Sequence, residues 1–156
     1  MISIIAVGLK QPDWVNTAFE EYAGRLSGLW EINLKEVKAE PRTTGKTVEA
    51  MRLAEAERVR AAIPKQDAFV CALDEHGKSF TTQQFAGFLE SALSQHSHLT
   101  FLIGGPDGHD ETLKRESHQL LRISDMTLPH GLARVLLAEQ VYRAWSLLNS
   151  HPYHRA

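Results

Sequence analysis

The sequence contains a single cysteine, Cys71, among 156 residues, which excludes an internal disulfide. Its place in the apolar run 69–73 predicts a small core side chain rather than a reactive thiol. Apolar runs as long as the roughly 20 residues of a membrane-spanning helix are also missing. The segment 1–7 lacks the basic start and cleavage site of a signal peptide. We therefore expect a cytoplasmic protein that does not engage a membrane.

A strong excess of basic residues is absent as well. Seventeen lysines and arginines face 19 acidic residues, for a net charge of -2. Because phosphate contacts supply most non-specific affinity for nucleic acids, we expect bare RNA to bind poorly. Two local groups of cations are candidate RNA contacts. The first group is Lys35, Lys38, Arg42 and Lys46, and the second is Arg134, Arg143 and Arg155. The first group is equally consistent with an ordinary solvated surface.

The eight histidines do not predict a metal site. Two close pairs occur, His96 with His98 and His151 with His154. A third ligand at a recognisable spacing does not accompany either pair, so we expect no metal.

The patterning predicts one α/β domain over residues 1–156, with a mostly parallel sheet and helices on both faces. Apolar or alternating runs predict strands near 2–7, 30–35, 67–73, 99–103 and 120–123. Helical spacing predicts helices from Asp13 to a stop at Gly28, over 47–62, from a capping box at Thr81 and Gln84, over 110–116 and over 130–149. The turn-rich segment 40–46 is a candidate mobile loop.

The last predicted helix is apolar around most of its circumference. Such a helix must be covered on more than one side. Burial within the fold and burial at a subunit interface both satisfy that requirement, and both remain open.

Three loops at the carboxyl ends of predicted strands form a candidate ligand site. Leu73-Asp74 ends the third strand, Gly104-Gly105 the fourth, and the run 123–128 follows the fifth. The two glycines can take positive φ and bring the backbone against a flat ligand, whereas a plain tight turn is the alternative. Asp125 is a candidate partner for an amino or hydroxyl group, or simply a turn cap.

Several strings in the chain resemble one known family. They are Phe-Leu-Ile-Gly-Gly-Pro-Asp-Gly at 101–108, Ser-Asp-Met-Thr-Leu-Pro-His-Gly-Leu-Ala-Arg at 124–134, Tyr-Arg-Ala-Trp at 142–145 and His-Pro-Tyr-His-Arg at 151–155. Together they resemble the ribosomal RNA large subunit methyltransferase H family of the SPOUT superfamily. Gly8, Lys10, Glu21-Tyr22, Arg25-Leu26 and Gly77-Lys78 extend the resemblance over the whole chain.

The resemblance implies a homodimer with a C-terminal trefoil knot that methylates N3 of a pseudouridine in the 23S rRNA of the assembled ribosome. It implies S-adenosylmethionine as the cofactor, bound by Leu73, Gly104, Gly105, Ile123, Ser124, Asp125, Met126, Thr127 and Leu128. For this reaction, the residue types beside the motif strings predict His154, Arg155 and Arg143 as catalytic residues and His130, Arg134 and Tyr153 as substrate contacts.

This chemistry requires loss of an imide proton and in-line attack on a methyl group. Histidine suits the proton transfer near neutral pH, and His130 and His154 are the candidates. Simple orientation of an already deprotonated imide is an alternative. His130 also fits an ordinary helix start, and the tail fits a solvated chain end.

Two other functions remain open at this stage. Gly104, Gly105 and Gly108 follow a strand, with Asp125 about 20 residues on, as in NAD-dependent oxidoreductases. The spacing is not G-x-G-x-x-G, and Pro106 lacks an amide donor. A non-enzymatic dimeric ribosome-binding factor is the second alternative, although the retained motif strings disfavour it.

Overall fold

The computed structural model describes residues 1–8, 10–43 and 45–155. Its strands are β1 (Ile2–Val7), β2 (Ile32–Val37), β3 (Ala68–Ser79), β4 (His98–Ile103) and β5 (Gln119–Arg122). Its α-helices are α1 (Asp13–Ala23), α2 (Val48–Ala62), α3 (Thr82–Gln95), α4 (Glu111–Glu116) and α5 (His130–Leu148). Position 44, inside the candidate mobile loop, lies outside the described residues. The predicted α/β class is confirmed.

The five strands form one sheet in the order β2-β1-β4-β3-β5. Each neighbouring pair is parallel, so the predicted parallel sheet is confirmed. Ile2 pairs with Ile32 on one side and with Leu99 on the other. Because all five strands run the same way, their carboxyl ends meet at one edge.

Helices cover both faces of this sheet, as the sequence predicts. In β1 the residues Ile2 and Ile4 pack with α1, α3 and α5, while Ile5 and Val7 pack with α2 and α4. All six residues of β1 are buried, as expected for a strand in the middle of a covered parallel sheet. Cys71 lies in the first of these cores with no exposed surface, and burial raises the pKa of its thiol to about 12.

Helix α1 differs from its predicted bounds. Pro12 occupies the cap position, and Asp13 is the first helical residue, where its carboxylate faces the positive end of the helix dipole. The helix ends at Ala23 rather than near Gly28. Gly24 occupies the C-terminal cap position, where a Cβ would lie only 2.7 Å from the carbonyl oxygen of Glu20.

The predicted end of β3 at Leu73-Asp74 is wrong. The strand continues to Ser79, and both Leu73 and Lys78 pair with Leu121 of β5. Residues 74–77 therefore form an excursion between two pairings with the same residue. Gly77 allows the strand to return, because a Cβ at this position would lie 2.7 Å from the backbone of Leu121.

Helix α5 packs against α1 and α3 along its length. Its buried residues include Val135, Leu137, Ala138 and Val141. Leu132 and Leu136 stay half-buried. Packing within the chain thus covers much of the helix and leaves one apolar strip accessible.

Candidate active site at the carboxyl edge of the sheet

A cavity of about 680 Å³ lies at the carboxyl edge of the sheet. Eight of the nine residues assigned to the cofactor on the basis of the resemblance line it: Leu73, Gly104, Gly105, Ile123, Ser124, Met126, Thr127 and Leu128. These residues come from β3 just before its excursion, the turn after β4 and the loop after β5. Parallel topology brings these three segments together, as the strand-end argument predicts.

Asp125 is the ninth residue, and it is absent from the cavity lining among the described residues. Its side chain is 83% exposed, and one carboxylate oxygen lies 3.3 Å from Nε of Arg122. Ser124 shapes the loop instead, since its hydroxyl accepts a hydrogen bond from the backbone amide of Met126.

The segment Gly105–Gly108, called here the glycine turn, closes one side of the cavity. The amide of Gly108 donates to the carbonyl of Gly105 at 3.0 Å, and Gly108 has a φ of 77°. Gly104 and Gly105 do not take the positive φ that glycine allows. They are glycines for lack of space: a Cβ on Gly104 would lie 2.9 Å from the backbone of Gly108, and one on Gly105 would lie 3.1 Å from Val7.

His130 stands at the start of α5 on the cavity wall, and both of its ring nitrogens have partners. Nδ1 lies 3.0 Å from the carbonyl oxygen of Gly104, and Nε2 lies 3.0 Å from Nη2 of Arg134. A carbonyl only accepts and a guanidinium only donates, so Nδ1 carries the proton and Nε2 accepts. Burial, aided by the charge of Arg134, lowers the pKa of His130. His130 is therefore a neutral side chain that links Gly104 to Arg134, and neither of its ring nitrogens has a free lone pair.

Arg134 continues this chain of bonds into the interior. Its side chain has no exposed surface, and Nη1 donates to Oε2 of Glu36 at 2.9 Å. This arrangement offers no guanidinium surface to an RNA phosphate. Arg134 links the end of β2 to His130, and through it to Gly104.

Polar residues that the sequence analysis did not identify form the opposite wall. Nζ of Lys114 lies 3.3 Å from Asp74 and 2.9 Å from Glu111. His109 is 5% exposed, its Nε2 lies 3.1 Å from the carbonyl of Leu102, and burial lowers its pKa. Asp107 and Arg52 also line the cavity. The sequence signal for Asp107 and His109 was the string Pro-Asp-Gly-His at 106–109, shortly after β4.

The predicted catalytic residues lie together at the other end of α5. Tyr153 donates to Oε2 of Glu139 at 2.7 Å, and Nε of Arg143 donates to the same oxygen at 3.0 Å. Burial tends to raise the pKa of Glu139, but these bonds outweigh it and lower the pKa. His154 lies 3.4 Å from Nη1 of Arg143 through Nδ1, while its buried Nε2 has no partner among the described residues. Arg155 is exposed.

This C-terminal group is remote from the cavity within one chain. Among the described residues, Arg143, Tyr153, His154 and Arg155 are all absent from the lining. Arg143 follows His130 by 13 positions, which is about 20 Å along an α-helix at 1.5 Å per residue. The structure thus brings eight of the nine predicted cofactor residues together around the cavity and the predicted tail residues together at the other end of α5.

Among the described residues, no group of three or more His, Cys, Asp or Glu side chains is arranged to hold a metal ion. Within the same residues, every helix is too short or too polar to cross a membrane.

The comparisons with known proteins first define a class. Residues 1–154 match a family model described as a predicted SPOUT methyltransferase. A solved structure, a probable methylase family protein from Haemophilus influenzae Rd KW20, superposes with a TM-score of 0.57 over 99% of this chain and 70% of that chain. At 10% identity this likeness concerns the fold alone.

Closer relatives define the family within that class. Proteins named ribosomal RNA large subunit methyltransferase H are 51% identical in Methylibium petroleiphilum and 50% identical in Paraburkholderia xenovorans, each over 99% of this chain and 98% of the relative. The relative from Bordetella avium is 49% identical over 98% of this chain and 97% of its own. The chain belongs to the ribosomal RNA large subunit methyltransferase H family.

Proposed function

We propose that this chain is an S-adenosylmethionine-dependent enzyme that methylates N3 of a pseudouridine in 23S rRNA within the assembled ribosome. One observation carries the proposal: eight of the nine predicted cofactor positions line a single cavity in a chain of this family. The names of the relatives indicate ribosomal RNA as their substrate class. The net charge of -2 favours an assembled particle over bare RNA as the partner.

The residues of the cavity fit the cofactor. Leu73, Ile123 and Leu128 offer apolar surface for a flat adenine ring, and the polar wall of Asp74, Lys114 and His109 offers hydrogen-bonding groups. The backbone at Gly104 and Gly105 is free of side-chain bulk. S-adenosylmethionine, when bound, supplies a methyl group on a sulfonium sulfur.

The chain's own residues must then hold the base and accept the imide proton that N3 loses. His130 is a poor candidate for the proton acceptor, because Nε2 already accepts from Arg134 and Nδ1 donates to Gly104. His154 is better suited, since its ring has a single side-chain contact, that of Nδ1 with Nη1 of Arg143 at 3.4 Å, and Nδ1 can take a proton once this contact is released. Arg143 and Arg155 are suited to stabilise an imide anion, and Tyr153 to stack on a base.

The spacing of about 20 Å along α5 between His130 on the cavity wall and Arg143 beside the tail supports a homodimer in which the tail of one subunit faces the cavity of the other. The half-buried residues Leu132 and Leu136 of α5 provide an apolar strip for such an interface. The C-terminal trefoil knot, which family membership implies, belongs to the same proposal.

Calorimetric titration tests the cofactor. We expect heat with S-adenosylmethionine and none with NADH. Heat with NADH alone would point to an oxidoreductase, and no heat with either ligand would favour a ribosome-binding factor. Transfer of a labelled methyl group to whole ribosomes, compared with protein-free 23S rRNA, then tests the substrate. Equal labelling of both RNAs would contradict the requirement for an assembled particle.

A mixed-dimer experiment tests the shared site. Leu128→Trp blocks the cavity but keeps the tail, and truncation after Ser150 keeps the cavity but removes the tail. Each variant alone should be inactive. Refolded together they should recover about a quarter of the wild-type turnover, because random pairing makes half of the dimers mixed and each has one complete site. A mixture that stays inactive would show that each tail serves its own subunit.

A further inference from the structure

A buried carboxylate lies directly beneath the glycine turn. Glu55 of α2 is 3% exposed, and its oxygens are 3.2 and 3.4 Å from the position that a Cβ on Gly105 would occupy. A buried charge of this kind is unfavourable unless it is paired. The amide of Glu40 donates to Oε2 of Glu55 at 2.9 Å, and Nη1 of Arg42 donates to the same oxygen at 2.7 Å.

Arg42 also reaches the turn itself. Its Nε donates to Oδ2 of Asp107 at 3.0 Å, and its Nη1 donates to the carbonyl oxygen of Glu40 at 2.7 Å. On the other side of the turn, Nε of Arg52 donates to the carbonyl oxygen of Asp107 at 2.8 Å. Arg42 thus joins its own segment, helix α2 and a turn 65 residues further along the chain.

The base of this segment is anchored by a second buried acid. Glu40 is 6% exposed and accepts hydrogen bonds from Lys46 and Arg58. These bonds, first that from Lys46 and then that from Arg58, lower the pKa of Glu40 to about 2. Three of the four cations that the sequence analysis grouped as RNA contacts have partners in the chain: Arg42 and Lys46 bind carboxylates, and Lys35 donates to the carbonyl of Ala62.

We propose that Arg42 is a positioning residue for cofactor binding, an inference that rests on the proposed methyltransferase function. Its guanidinium sets the glycine turn against the cavity from below, with Glu55 as the fixed counter-charge and Asp107 as the point of attachment. The segment 40–43 is thereby part of the cofactor site without lining the cavity. Its cation acts on the turn rather than on RNA.

Arg42→Gln tests the inference, and Arg60→Gln is its matched control. Arg60 also projects from this side of the sheet, is similarly exposed at 31% against 27%, and binds Glu116 through Nε at the same 3.0 Å. We expect Arg42→Gln to weaken binding of S-adenosylmethionine about tenfold or more and to raise its KM equally, with kcat at saturation changed by less than about twofold. Arg60→Gln should leave the affinity unchanged. Equal affinities for the two variants would overturn the inference.

Asp107→Asn provides a second route if Arg42→Gln fails to fold, because it leaves the pair of Arg42 with Glu55 in place. It should weaken cofactor binding to a similar degree. The double variant should bind no more weakly than Arg42→Gln, because both changes remove one interaction. Fully additive losses would overturn the proposed link. Failure of the wild-type protein to bind S-adenosylmethionine would overturn the proposed function, and this inference with it.

Discussion

The two ends of helix α5 carry the same residue types but differ in how fully these residues are bonded. At the first end, each side-chain nitrogen of His130 and Arg134 has a hydrogen-bond partner except Nε of Arg134, which has none among the described residues. At the second end, His154 keeps a ring nitrogen without a partner among the described residues, and Arg155 is exposed. Saturated polar groups hold a shape, whereas unsaturated groups can bind something else. The comparison teaches that residue type alone does not distinguish a side chain that holds the structure together from one that is available for chemistry.

Truncation after Ser150 should give the largest effect. Removal of residues 151–156 deletes Tyr153, His154 and Arg155, so we expect turnover on ribosomes to fall by at least about 100-fold, the scale of a lost acid-base group. The affinity for S-adenosylmethionine, measured by calorimetry, should stay within about twofold of the wild-type value, since the tail is absent from the cavity lining. Undiminished turnover would show that the tail has no part in the chemistry.

A pair of arginine variants sharpens the contrast between the two ends. Arg134→Met should lower the free energy of unfolding by about 1–3 kcal/mol, because Glu36 and His130 lose their buried donor. Arg143→Met should lower it less, by about 1 kcal/mol, because Arg143 is 26% exposed and Glu139 keeps the hydrogen bond from Tyr153. Urea unfolding of both variants measures this. Turnover on ribosomes should show the reverse order, with the larger relative loss in Arg143→Met. Equal losses of stability in the two variants would contradict the distinction between the two ends of α5.

The pH dependence of stability gives a smaller effect at the first end of α5. Burial lowers the pKa of His130 below its ordinary value of 6.5, so the unfolded chain binds more protons as the pH falls through that value. Stability is therefore full above pH 6.5 and declines below it. The fall in Tm between about pH 8 and about pH 5.5 should be smaller in His130→Gln than in the wild type. His76→Gln, at a side chain that is 82% exposed, should leave that fall unchanged.

Asp125→Ala should give the smallest effect. Its carboxylate is 83% exposed, pairs with Arg122 and is absent from the cavity lining among the described residues. The dissociation constant for S-adenosylmethionine should change by less than about twofold, since exposed ion pairs contribute little. A tenfold loss would show that the loop after β5 rearranges when the cofactor binds.

Local patterns predicted the parts of this structure that depend on local chemistry. The continuous apolar run of β1 predicted a strand buried on both faces, and Thr81 with Gln84 predicted the capping box that begins α3. The parallel topology then predicted which three loops share an edge.

Contacts between distant segments lay beyond the sequence patterns. The continuation of β3 past Asp74 depends on Gly77 meeting the backbone of Leu121, 44 positions away by residue number. The attachment of Arg42 to Asp107 spans 65 residues, and that of Tyr153 to Glu139 depends on how the tail folds back. These contacts are set by packing of the whole chain, so a local window of sequence does not contain them.

The deeply buried thiol has a practical consequence for spectroscopy. Cys71 is the single cysteine of the sequence, is fully shielded, and has its pKa raised to about 12, so thiol reagents at neutral pH should leave it untouched. A cysteine introduced at Arg155 would then be the sole reactive thiol without prior removal of the native one. Dyes placed there would report the distance between the two tails of the proposed homodimer.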